Sequence, residues 1–251
     1  MSKKNFDEPH FEVVKSNEFI QRSCYNLTNE EQKLLCYVIS KLKPTDVIFT
    51  PFIIKATDFA TLFGIANKNV YASFKKMADS FQEKRRWIKI GDNNVHFAVF
   101  SESEYNDKQG TIRLVLNSRL HEHLLNLKKN YTQYELWNIV KLKSKYSIRL
   151  YELFVSYDYK KNGAATEITF DLKHLIFLLC AESYKQFSHF KSKVLEKAVN
   201  EINKFTNYDV TYIPIKEGKS HTVTKIVFDF KPKYVLDMLE IYERDFNQTT
   251  C

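Results

Sequence analysis

Between His189 and Lys204 the chain carries His189, Lys193, Glu196, Asn200 and Lys204 at spacings of three and four, with Lys197 at the flank. Such spacing stacks side chains on one face of a helix. Phe190, Val194, Leu195, Ala198, Val199, Ile202 and Phe205 fall on the opposite face. The segment therefore reads as a helix with an apolar stripe and a basic outer side. Lysine grips phosphate or a guanine edge, and asparagine pairs with adenine. The chemistry on offer is recognition of a polyanion. Lys191 falls above the apolar stripe, and joins the outer face only if the first turn projects beyond the core. Ser188 as N-cap allows that; Ser183, with Gln186 at its third position, is a rival start. A merely solvated amphipathic face is the plain alternative, and the flanking elements decide between the two.

Those elements favour recognition. Glu167–Phe170 reads as a strand, and Asp171 as the cap of a helix over Leu172–Cys180. After Phe205, the strands Tyr208–Ile215 and Val223–Phe230 flank a basic turn containing Lys216, Lys219 and His221. The order is helix, strand, short helix, longer helix, β-ribbon, and it occurs twice. An offset of 116 residues carries Leu34-Leu35 onto Leu150-Tyr151 and Val38 onto Phe154. It also carries Phe59 onto Leu175, Leu62-Phe63 onto Leu178-Leu179, and Phe74-Lys75-Lys76 onto Phe190-Lys191-Ser192. A repeated unit of this order predicts an α+β protein of two tandem winged helices, a helix-turn-helix variant whose second helix enters a DNA groove.

The first copy opens with a helix over Val13–Ser23. A capping box at Thr28 and Glu31 then starts a helix burying Leu34, Leu35, Val38, Ile39 and Leu42. Val47–Lys55 reads as a strand, with a short helix closed by Gly64 and a longer one over Asn67–Phe81. Three strands follow at Arg85–Ile90, Val95–Phe100 and Thr111–Leu116. They are joined by turns at Gly91–Asn94 and Asn106–Gly110. Asn117 or Ser118 caps a helix through Leu127. The basic residues Lys68, Lys75, Lys76, Lys84, Arg85 and Arg86 make this copy a candidate for DNA-backbone contacts, leaving base reading to the second. The domains are set at 11–130, at 131–233 with Tyr134–Leu142 opening the second copy, and at 234–251 for a C-terminal helix over Tyr234–Arg244 and a tail.

Composition agrees with this reading. There are 38 Lys and Arg against 30 Asp and Glu, a net charge of +8, which suits a phosphate-rich partner. Cys24, Cys36, Cys180 and Cys251 show no CxxC and no metal-ligand spacing, so neither metal nor cofactor is expected. MSKKNFDEPH is not an apolar signal segment, and the longest apolar run, Leu175–Ala181, is far short of a membrane span. A cytoplasmic protein without membrane contact is expected. No enzyme is expected either, since no phosphate-binding GxxxxGK loop is present. A nicking enzyme needs paired histidines for a metal. The only candidates are His121 and His123, which lie two apart in a helical segment and so point apart. A tandem winged-helix transcriptional regulator remains open beside a replication role.

Three stretches resemble one family. Residues 139–157, IVKLKSKYSIRLYELFVSY, are similar to the LKSxYxxRLYEL segment of iteron-plasmid replication initiator proteins. Phe190-Lys-Ser-Lys-Val-Leu-Glu-Lys-Ala-Val-Asn-Glu-Ile-Asn203 resembles the family's aromatic, basic run and VLxxAxxEIN. Val14–Asn17 followed by Leu27–Lys33 resembles its opening, so the likeness runs from about residue 12 to 231. It implies that the C-terminal winged helix reads the major groove of repeated origin sites, the iterons. It implies that the N-terminal one touches the neighbouring backbone and carries a dimer interface. A monomer would start replication, and a dimer would repress the promoter at an inverted repeat. Host replication proteins, such as an initiator or helicase, would be partners. The family's basic run falls on Lys191, Ser192 and Lys193. Ser192 departs from it, and lysine lacks arginine's planar fork. Lys143 and Lys145 are candidate phosphate contacts at a helix start. Ile148, Leu150, Tyr151, Leu153 and Phe154 read as core, and Arg149 as a structural ion-pair partner.

Overall fold

The computed structural model describes residues 11–43, 45–65, 70–83, 87–90, 96–158, 165–218 and 222–233. The chain divides into two compact units between Lys141 and Leu142. Both are winged helices.

In the first unit, β1 (Glu12–Ser16) leads into α1 (Asn17–Arg22), β2 (Ser23–Tyr25) and α2 (Asn29–Ile39). The expected single helix over Val13–Ser23 is thus half strand. Ser16 caps α1 by accepting from the Phe19 amide. β1 exists because β8 (Tyr131–Glu135) pairs with it in antiparallel register, Val13 opposite Tyr134. That pairing also moves the domain boundary. Residues 131–141, grouped with the second unit on sequence, belong to the first through β8 and α6 (Trp137–Val140). Their partner lies far away in the chain, where no local periodicity can reveal it.

The capping box at the start of α2 is present in both halves. The Thr28 hydroxyl accepts from the Glu31 amide, and Glu31 accepts from the Thr28 amide. β3 (Phe52–Lys55) is shorter than the expected strand, because Pro51 has no amide to donate to a ladder. α3 (Ala56–Phe63) ends on Gly64, whose φ of 62° is left-handed. α4 (Val70–Ser80) follows, then β4 (Trp87–Ile90), β5 (His96–Ala98), β6 (Phe100–Asn106) and β7 (Thr111–Leu116). β3, β7 and β6 form one sheet, and β2, β4 and β5 another. Asn117 caps a 3-10 turn at 118–120, and α5 (His121–Leu124) then ends the expected helix early. The Gly91–Asn94 turn lies outside the described residues.

The second unit runs α7 (Lys145–Asp158), β9 (Thr166–Asp171), α8 (Leu172–Leu178), α9 (Phe187–Phe190), a π turn at Lys191–Leu195, α10 (Glu196–Phe205), β10 (Tyr208–Glu217) and β11 (Thr222–Pro232). Asp171 caps α8 through the amides of Lys173 and His174. The sheet order β9-β11-β10 matches β3-β7-β6. The first strand ends at equivalent pairs, Lys55 opposite Thr111 and Asp171 opposite Lys225. Phe154 packs at 5.1 Å from Phe228 and 4.8 Å from Phe230. Ring pairs of this kind contribute about 0.5–1.5 kcal/mol each beyond their burial. The 234–244 helix lies outside the described residues.

Candidate nucleic-acid interface

The apolar stripe of residues 187–205 is buried as expected at Phe190, Val194, Leu195, Ala198, Val199 and Ile202. His189, Ser192, Lys193, Glu196, Lys197, Asn200 and Lys204 are exposed on the outer side. The helix begins after Gln186, with no side-chain cap, so neither Ser183 nor Ser188 plays that part.

Two side chains fix what this helix can present. The Glu201 carboxylate accepts from the amides of Lys143 and Ser144, both at 3.0 Å, and from the Ser147 hydroxyl at 2.7 Å. The Ser144 hydroxyl caps α7 by accepting from the Tyr146 amide, and Glu201 braces the turn just before it, where a negative charge is favourable. Asn203 grips β10 from the other flank. Its amide donates to the Val210 carbonyl at 2.9 Å, and its oxygen accepts from the Val210 amide at 2.7 Å. At roughly 100° per residue, residues 201 and 203 bracket an outer sector roughly 160° wide. Glu196, Lys197, Asn200 and Lys204 occupy it. The Glu-Ile-Asn triplet is thus architectural: a brace on the turn before α7, a core residue and a strand clamp.

The π turn answers the awkward position of Lys191. The Glu196 amide donates to the Lys191 carbonyl five residues back. That register brings the side chains of residues five apart together, and Lys191 Nζ stands 3.6 Å from Glu196 Oε1. Lys191 is half-buried and paired with Glu196 of the outer face. Among the described residues Lys193 and Lys197 have no such partner.

On the wing, β10 and β11 pair with a bulge between Ile215 and Lys216. The Glu217 carboxylate accepts from Lys225 Nζ and Thr224 Oγ1, each at 2.8 Å. These donors hold its pKa below the usual carboxylate range. The one acidic group on this stretch is thereby balanced, and Lys216 stays exposed. Lys219 and His221 lie outside the described residues, as do Lys68, Lys84, Arg85 and Arg86 in the first unit.

Lys75 and Lys76 are exposed on α4, but Lys75 Nζ faces Asp107 Oδ2 at 3.8 Å. Lys143 is exposed, while Lys145 lies half-buried with its Nζ 5.0 Å from the centre of the Tyr146 ring. The amides of Lys143 and Ser144 are taken by Glu201, and that of Tyr146 by the Ser144 hydroxyl. Arg149 is structural as expected. It is buried and donates to Glu152 at 2.9 Å. The two histidines of α5 diverge: His121 Nε2 lies 2.7 Å from the Val47 carbonyl, and His123 Nδ1 lies 3.0 Å from the Ser16 hydroxyl. No helix among the described residues is long and apolar enough to cross a membrane.

Comparison with known proteins settles the family. Residues 12–155 match the family described as initiator replication protein, WH1, and residues 169–230 match initiator Rep protein, WH2. This chain belongs to the initiator replication protein family. It is 26% identical over 207 residues to a replication initiation protein of Escherichia coli. The match covers 78% of this chain and 63% of that protein, so the chain spans under two thirds of the relative's length. The fold superposes with a TM-score of 0.71 on a crystal structure of the Pi initiator protein in complex with iteron DNA. There the identity is 18%, over 90% of this chain and 98% of the other. The initiator's two winged helices are thus supported by sequence and by fold independently.

Proposed function

We propose that this initiator-family chain starts plasmid DNA replication by binding direct repeats at an origin as a monomer, and represses its own promoter as a dimer at an inverted repeat. The observation that carries DNA binding is the outer sector of residues 189–204. It is a basic face on the second helix of a winged-helix unit, and among the described residues Lys193 and Lys197 have no ion-pair partner. Base reading belongs to the second unit, and the first contributes backbone contacts and the dimer interface. The chain acts without catalysis of its own, in the cytoplasm, by opening the origin with host initiator or helicase proteins. The divergent partners of His121 and His123 support the non-catalytic reading.

A footprint on the DNA flanking the protein's gene, run as a salt titration, tests this. The expected result is protection of several direct repeats spaced by about two helical turns, with a steep loss of affinity as salt rises. Protection of an inverted repeat alone would make the chain a transcriptional regulator. Deleting residues 1–141 should abolish dimers while weak repeat binding survives; a second unit that still dimerises would refute the division of labour.

A further inference from the structure

The outer sector holds two rows of different chemistry. His189, Lys193 and Lys197 follow one another at intervals of four. Ser192, Glu196 and Asn200 form the second row at the same interval, and Lys204 ends it. Lysine is a mobile point charge that suits phosphates of any sequence. A carboxylate facing a phosphate-lined groove is repelled nearly everywhere. The place it is accepted is opposite a cytosine, whose N4 amino group donates to it.

Glu196 is built to stay in one place. The π turn sets it against Lys191, 3.6 Å away, and the wing strand brings Tyr212 close enough for Glu196 to help hold the tyrosine's pKa up, after burial. An exposed glutamate without a role would not require a local change of helix register to brace it, and π turns are frequent at functional sites.

We propose that the Ser192–Glu196–Asn200 row sets the sequence specificity of this protein, with Glu196 accepting from a cytosine, Asn200 facing an adenine and Lys191 positioning Glu196, while the lysine row grips phosphate. This rests on the DNA-binding reading above. It makes Glu196 a residue that weakens binding to most DNA and thereby selects one site.

The test is selection of a randomised duplex library by the full chain, followed by sequencing and salt titration of the selected duplex against a scrambled one. The wild type should enrich a motif with cytosine at one position. Glu196→Ala should lose the preference there, bind scrambled duplex more tightly, and lower the specific-to-scrambled ratio roughly tenfold. Glu196→Gln should turn the preference towards adenine. Lys191→Met should lower the ratio with little change in salt slope, because its charge is matched by Glu196; Lys193→Ala should weaken both duplexes alike and reduce the slope by about one. If Glu196→Ala and Glu196→Gln keep the wild-type motif, or raise affinity for both duplexes equally, Glu196 is only a repelling charge and the proposal is wrong. A wild type that enriches no motif would instead overturn the DNA-binding reading beneath it.

Discussion

The two winged helices fasten their second helix to the first by the same kind of bond with the partners exchanged. In the first unit the carboxylate sits on α2: Glu31 accepts from the Ser80 hydroxyl of α4 at 2.5 Å. In the second it sits on the reading helix, and Glu201 accepts from Ser147 of α7. The offset of 116 residues carries Glu31 onto Ser147 and Lys33 onto Arg149. Both members of that second pair are buried cations. Arg149 meets Glu152, whereas Lys33 reaches the Val140 carbonyl at 2.6 Å. The units differ more on their outer sides. In the first, Lys75 pairs with Asp107 in the β6–β7 turn, and the Tyr71 ring lies against Gly110, leaving no room there for a Cβ. In the second, the flanking residues Glu201 and Asn203 do the holding, so Lys193 and Lys197 stay available. A shared scaffold thus yields one helix tied to its own wing and one left to face a ligand.

The sharpest way to break this comparison is at the buried cations. Arg149→Met should destabilise the chain by about 3–5 kcal/mol, since it removes a charge partner of buried Glu152. Lys33→Met should cost about 1–3 kcal/mol, since it removes, among other contacts, the bond to the Val140 carbonyl and the approach to the Phe63 ring at 5.3 Å. Urea unfolding of both variants checks the order, and equal losses would mean the two helices are held alike. Next come the exchanged carboxylates. Glu201→Ala should cost about 2 kcal/mol through its lost hydrogen bonds to Lys143, Ser144 and Ser147, and Ser80→Ala about 1 kcal/mol. For DNA, Lys193→Ala should reduce the salt slope by about one. Lys75→Ala should change stability by no more than about 0.5 kcal/mol, as its pair with Asp107 is exposed. A clear loss of stability in Lys75→Ala would show that the tie to the wing matters more than its exposure suggests.

The smallest effect concerns pH. Burial lowers the pKa of His123 below the ordinary 6.5, more than the neighbouring Glu122 and Glu18 raise it. The unfolded chain therefore binds this proton more readily. The stability it confers is present above about pH 6.5 and falls as pH drops through that value towards the folded pKa. Thermal unfolding from pH 7 down to 5 should show wild type losing stability relative to His123→Gln. Parallel curves would place the pH dependence elsewhere.

Helix α2 was legible from Thr28, Glu31 and the spacing of Leu34, Leu35 and Val38, because a capping box and a 3.6-residue period are both local. So were the cap at Asp171, the hairpin ending at Gly110, and the apolar stripe through Ile202. β1 and β8 were not, since each is a strand only because the other lies beside it. Lys191 shows the same limit at the site. Its type and position in a basic run point to DNA, while the local change of helix register that also joins it to Glu196 is visible only in the fold. Glu201 and Asn203 were visible as a motif without a purpose until their partners in α7 and β10 were known. The spacing of three and four placed Glu196, Asn200 and Lys204 beside the lysines from the sequence alone.

By itself the sequence determined the order of elements, the duplication, the buried faces and the basic outer side of one helix. All of these are set by short-range periodicity and by composition. Only the tertiary structure decided where the first unit ends, which cations are already paired and which sector of the reading helix is open. Those depend on contacts between residues far apart in the chain, and a hydrogen bond or ion pair forms according to distance in space, whatever the separation in sequence.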